Sequence, residues 1–136
     1  GFNDLHLSLN QRFLFEPLAY GVIDTLAGVC KHNHIAFGMG GIGKIMANNT
    51  DITLDPYLVL SEHVRLGSSW VILSQAFCGG VQTSLEELKI KVDLPREIQN
   101  LKQAYSQLTA LPFSALESNK EKLRKTVFKI ATEKAD

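Results

Sequence analysis

Gly38-Met39-Gly40-Gly41-Ile42-Gly43 puts four glycines into six residues, directly after the apolar run Ile35-Ala36-Phe37. Glycine accepts positive φ and carries no Cβ, so backbone N–H groups there can approach a phosphate or carboxylate closely. A second pair, Gly79-Gly80, follows another apolar run, Trp70-Val71-Ile72-Leu73. Glycine-rich exits from two consecutive strands are a recurring way of holding anionic groups in βα proteins. Glycines that only permit tight turns explain the same spacing, and both explanations stand at this point. Gly40, Gly41, Gly43, Gly79 and Gly80 are therefore the candidate substrate-binding residues, with Asn3 beside them. Asp4 is the candidate metal ligand, because a carboxylate at a strand mouth supplies the oxygen that Mg²⁺ requires. A turn or N-cap aspartate is the plainer alternative for Asp4.

Other chemistry finds less support. Gly38-x-Gly40-x-x-Gly43 matches the dinucleotide fingerprint literally, but a polar, Asn-rich stretch follows where a helix should open. No acidic residue closes the next strand either. Gly43-Lys44 continues into Ile45, not Ser or Thr, so it is not a phosphate-binding P-loop. His6, His32, His34 and His63 have no metal spacing and are expected at surface or capping positions. Ser68, Ser69 and Ser74 lack a nucleophile-elbow context, leaving a hydrolase triad unsupported. No catalytic acid or base is singled out.

The chain has 136 residues, 45% of them apolar, which suits one domain able to bury a core. Lys+Arg and Asp+Glu are 14 each, giving no electrostatic case for nucleic acid or an anionic membrane. No apolar run approaches the ~20 residues needed to span a bilayer. Cys30 and Cys78 lie in apolar company and are expected as buried thiols of a cytoplasmic protein.

These residues need elements to position them. Gly1 to Leu5 reads as the end of a strand already under way, with no initiating methionine, as in a piece of a longer chain. Glu16-Pro17 starts a helix over 17–32, with Leu18, Val22, Leu26, Val29 and Cys30 as its core stripe. Gly21 and Gly28 on that helix are expected to permit close packing on a sheet. A strand at 34–37, a polar loop over 44–54 and a helix from Asp55-Pro56 to Gly67 follow. A second strand at 70–73 completes an alternation that implies parallel pairing. From Ser84 onward the chain is helical. Ser84…Glu87 and Ser118…Glu121 form capping boxes, Pro95 opens a longer helix, and Leu123, Val127, Ile130 and Ala131 make an apolar stripe. Two units are expected: β/α segments over 1–83 and a helical extension over 84–136 for packing or oligomerisation.

Gly1-Phe2-Asn3-Asp4-Leu5 resembles the G-x-x-D-L segment ending the sixth strand of the HpcH/HpaI aldolase and citrate lyase β-subunit family. That family belongs to the phosphoenolpyruvate/pyruvate TIM-barrel superfamily. His34 to Gly41 is similar to its seventh strand, and Leu66 to Phe77 (LGSSWVILSQAF) resembles its strand-eight region. The resemblance covers residues 1 to about 80 and implies an α/β fold, the parallel-stranded C-terminal part of a (β/α)₈ TIM barrel, followed by C-terminal helices. It also implies a carbon–carbon bond lyase acting on a 2-oxo acid or acyl-CoA-related substrate. Asp4 would then hold Mg²⁺ or Mn²⁺, and the family's second acid and strand-one and strand-two positions have no counterpart in these residues.

Three barrel strands cannot close, and their edges would stay unpaired. The chain is thus expected to pair with a missing N-terminal half, to form a homo-oligomer, or to take a different open arrangement. The rival function is a non-catalytic phosphometabolite-binding or assembly module using the same glycines and the helical tail. A small-molecule carboxylate or phosphorylated compound is the expected ligand in either case. A second carboxylate within about 5 Å of Asp4, close enough to share one cation, would separate the two.

Overall fold

The computed structural model describes residues 1–45, 54–75, 77–80 and 84–134. The expected loop residues 48–51 lie outside these. Seven helices and two strands follow in the order α1 (Phe2–Ser8), α2 (Glu16–Ala19), α3 (Val22–His32), β1 (Gly38–Ile42), α4 (Pro56–Leu66), β2 (Trp70–Leu73), α5 (Leu85–Lys91), α6 (Leu94–Thr109) and α7 (Phe113–Glu133).

α4 sits at the centre and packs against β1, α6 and α7. Local chemistry delimits it sharply. Asp55 Oδ1 accepts from the Tyr57 amide at 2.9 Å, Pro56 occupies the first turn, and Gly67 ends the helix at φ 75°. α6 is capped by Asp93 and α5 by Ser84, whose hydroxyl accepts from the Glu87 amide at 3.1 Å. α7 buries the expected stripe of Leu123, Val127, Ile130 and Ala131. One apolar cluster runs from Phe2, Phe15 and Leu18 through Met39, Ile42, Val59 and Phe77 to Leu108, Leu123 and Ile130. It crosses residue 84 without a break.

β1 and β2 pair in parallel, as their alternation with α4 implied. Gly38 faces Trp70, Met39 faces Val71, Gly40 faces Ile72 and Ile42 faces Leu73. Gly41 is the extra residue of a bulge and takes φ 88°. Without that insertion Ile42 would point away from the core, since side chains alternate along a strand. With it, Met39 and Ile42 are both buried against the helices. The other face carries Trp70 and Ile72, both exposed.

The barrel expectation is overturned. Of the described residues 63% are helical and only two short parallel strands are formed, so this is not the parallel-stranded C-terminal part of a TIM barrel. The N-terminal segment shows one reason. Phe2 and His6, four apart, are buried on one side of a helix, and His6 Nδ1 donates to the Phe2 carbonyl at 3.0 Å. Gly1 to Leu5 therefore starts a helix instead of ending a strand.

Four other expectations change. The helix at 17–32 is broken at Tyr20-Gly21, where Gly21 takes φ 87°. Neither Gly21 nor Gly28 has a close neighbour on its Cβ side, so neither permits packing on a sheet. α3 buries Ile23 and Ala27 and leaves Leu26 and Val29 exposed, so of the expected stripe only Leu18 is fully buried. Ser118 lies inside α7, which begins after Pro112, so it caps nothing.

Candidate functional site

The proposed ligand-binding residues collect around the two strand exits. The Ser74 amide donates to the Ile42 carbonyl at 2.9 Å, which fixes the exits side by side. Gly43 leaves β1 there, while Gly79 and Gly80 close the turn after β2 at φ 76° and 110°. α1 packs on β1, so Asn3 and Asp4 ride on a helix next to the glycine strand.

The glycines have structural work that the spacing alone did not reveal. Gly38 and Gly40 lie within β1, not in a loop, and face the two largest side chains of β2. A Cβ on Gly38 would overlap the Trp70 ring, at 2.1 Å from its nearest atom. One on Gly41 would come 3.0 Å from the buried Phe15 ring. Gly43 abuts Pro56, and Gly79 abuts Val92. An alanine at position 38 is expected to push the indole off the strand, visible as a red shift in the emission of this sole tryptophan. An unchanged spectrum would contradict the close approach.

Asp4 is exposed on a helix of seven residues, with Asn3 exposed beside it. His6 faces inward and spends Nδ1 on the Phe2 carbonyl. Glu16 is committed elsewhere, its Oε2 accepting from the Arg12 and Phe13 amides at 2.6 and 2.7 Å. Among the described residues no three His, Cys, Asp or Glu groups are placed to hold one ion. The residues around Asp4 thus do not fit a Mg²⁺ or Mn²⁺ centre built by these segments alone.

The buried polar chemistry lies on α4, away from Asp4. Glu62 is 1% exposed, and its Oε2 accepts from Arg65 Nε at 2.5 Å. Arg65 Nη2 lies 2.8 Å from Asp24 Oδ1 on α3, and Lys120 of α7 reaches the same oxygen at 3.5 Å. Asn119 of α7 donates to Ser61 at 3.1 Å. Burial pushes the Glu62 carboxyl above the usual range, and Arg65 partly offsets this. The network ties three helices together through charges of both signs.

His63, expected at the surface, is buried. It follows Val59 and Leu60 at the three- and four-residue spacing of the core face, a signal that was present in the sequence. The Ser68 hydroxyl donates its one proton to the Trp70 carbonyl at 3.0 Å. It therefore accepts from His63 Nδ1–H at 2.8 Å, which defines the Nδ1–H tautomer. Burial lowers the His63 pKa from 6.5 to about 4.

Because the unfolded chain takes up this proton first, His63 supports the fold above pH 6.5, and that support is lost as pH falls towards about 4. The full swing is on the order of 3 kcal/mol. Glu62, with its raised pKa, acts in the opposite sense. Urea midpoints of the chain and of His63→Asn, compared at each pH, isolate the histidine contribution; parallel profiles would refute it.

The chain matches no protein-family model, no curated protein and no solved structure. No helix among the described residues is long and apolar enough to cross a membrane. Cys30 and Cys78 are thiols and are half-buried.

Proposed function

We propose that this chain is a binding and assembly module that buries the outer face of its sheet against the helical surface of a second copy. The observation behind this is the uncovered face itself. Trp70 and Ile72 are 52% and 62% exposed on a parallel pair, and Ile35, just before β1, is 58% exposed. Parallel sheets are ordinarily covered by helices on both faces, and two strands alone are marginal in water. α3 offers a matching cover, since Leu26 and Val29 leave an apolar stripe exposed. Net charge is zero, so copies do not repel through overall charge.

Native mass spectrometry should give multiples of 15.1 kDa. Trp70→Ser/Ile72→Ser should dissociate them while leaving the helical circular dichroism intact. A wild-type chain that stays monomeric at high concentration would end this proposal.

A metal-dependent carbon–carbon lyase is the second possibility, acting on a 2-oxo acid or acyl-CoA-related substrate. It is favoured by the placement of Asp4 and Asn3, exposed on a helix packed against the glycine strand. The Mg²⁺ or Mn²⁺ would need further oxygen ligands from an additional segment or partner. Asp4→Ala should then abolish metal-dependent turnover of a 2-oxo acid in the assembled protein, and retained turnover would exclude this role.

A further inference from the structure

We infer that the cleft between the first turn of α4 and α6 binds a neutral, polyhydroxylated molecule of monosaccharide size. The cleft has a volume of about 300 Å³, at the lower end of the ~300–1,000 Å³ typical of small-molecule sites. Its α6 wall carries Asn100, Gln103 and Gln107, which share a face because they lie at i, i+3 and i+7. The neighbouring positions Leu101, Ala104 and Leu108 are buried and hold α6 onto the core, so the amide row is presented by an anchored helix. Tyr57 and Asp55 form the opposite wall, and the bond from the Tyr57 amide to Asp55 Oδ1 fixes that turn.

The chemistry of these walls selects a ligand class. Each side-chain amide both donates and accepts, as a hydroxyl does, so a row of three suits a ring of alternating hydroxyl groups. The Tyr57 ring and the Ala104 methyl supply apolar surface for the C–H face of such a ring. The only charge among the described lining residues is the Asp55 carboxylate, which accepts from hydroxyls and repels phosphate or carboxylate. An anionic metabolite, the ligand expected at the glycine exits, is therefore the wrong class for this cleft. The cleft also lies outside the sheet face used for assembly, so it stands independently of that proposal.

Saturation-transfer NMR on the full chain tests this with D-glucose, D-mannose and myo-inositol as neutral probes, and with glucose 6-phosphate and adenosine as controls. At least one neutral probe should receive saturation, with glucose 6-phosphate weaker than glucose. Gln103→Ala and Gln107→Ala change exposed positions that leave the core untouched. Each should weaken binding about fivefold, the loss of roughly one hydrogen bond. No transfer to any neutral probe, preference for the phosphate or for adenosine, or binding unchanged in both variants would overturn the assignment.

Discussion

Replacing Arg65 with methionine should lower the unfolding free energy by about 3–5 kcal/mol, because it leaves the Glu62 carboxylate buried without its cation. The magnitude follows from burial. Arg65 and Glu62 side chains are 7% and 1% exposed, so water cannot replace the lost partner. Loss of an exposed pair such as Arg124–Glu121 should instead have little effect, because water replaces the partner there. Asp24 on α3 and Glu117 on α7 would lose the same cation, loosening both helices together.

The methionine variant should also gain stability as pH falls. The folded-state pKa of Glu62, already raised, would rise further, and protonation removes the uncompensated charge. Adding Glu62→Leu should recover much of the loss, since apolar replacement of a whole buried pair is often neutral or favourable. Urea unfolding of the single and double variants measures both effects. A single-variant cost below about 1 kcal/mol would show that the pair does not hold these helices.

Gly41→Ala should cost about 2–6 kcal/mol in the same assay. Two independent penalties contribute. A φ of 88° strains any L side chain by ~1–3 kcal/mol, and crowding a packed core costs a similar ~1–3 kcal/mol. The new methyl meets Phe15, which is itself wedged against Phe2 at a ring separation of 5.5 Å, so little room exists to yield. Gly28→Ala is the control. It lies in α3 with an ordinary φ and open space, and should stabilise by about 0.5–1 kcal/mol. Equal effects at the two positions would refute the role assigned to the bulge.

The elements bounded by local chemistry were legible in the sequence. Asp55-Pro56, Gly67, Ser84…Glu87 and Pro95 mark helix ends through bonds and dihedrals formed within a few residues, so no distant contact was needed to predict them. The α7 stripe was equally plain, because its spacing matches the helical period. Ser118 misled because a capping pattern also occurs inside helices, where it caps nothing.

The candidate site was legible only as residue types. Four glycines near an apolar run suggested a loop, but whether they form a loop or a strand depended on the partner strand. Trp70 needs a residue without a side chain opposite it, and Gly38 supplies that space. Likewise, nothing local distinguishes a helix at Phe2–Ser8 from the end of a strand. Burial of Phe2 against Phe15, with His6 buried on the same helix side, decides it.

The sequence by itself determined a balanced charge, the α4 and α5 caps, the α7 stripe and the parallel sense of the two strands, all properties of composition or short spacing. Tertiary structure alone decided that Glu62 is buried, that Gly41 is a bulge and that Asp4 rides on a helix. Each of these depends on residues distant in the chain meeting in one core, where burial and close packing outweigh local preference.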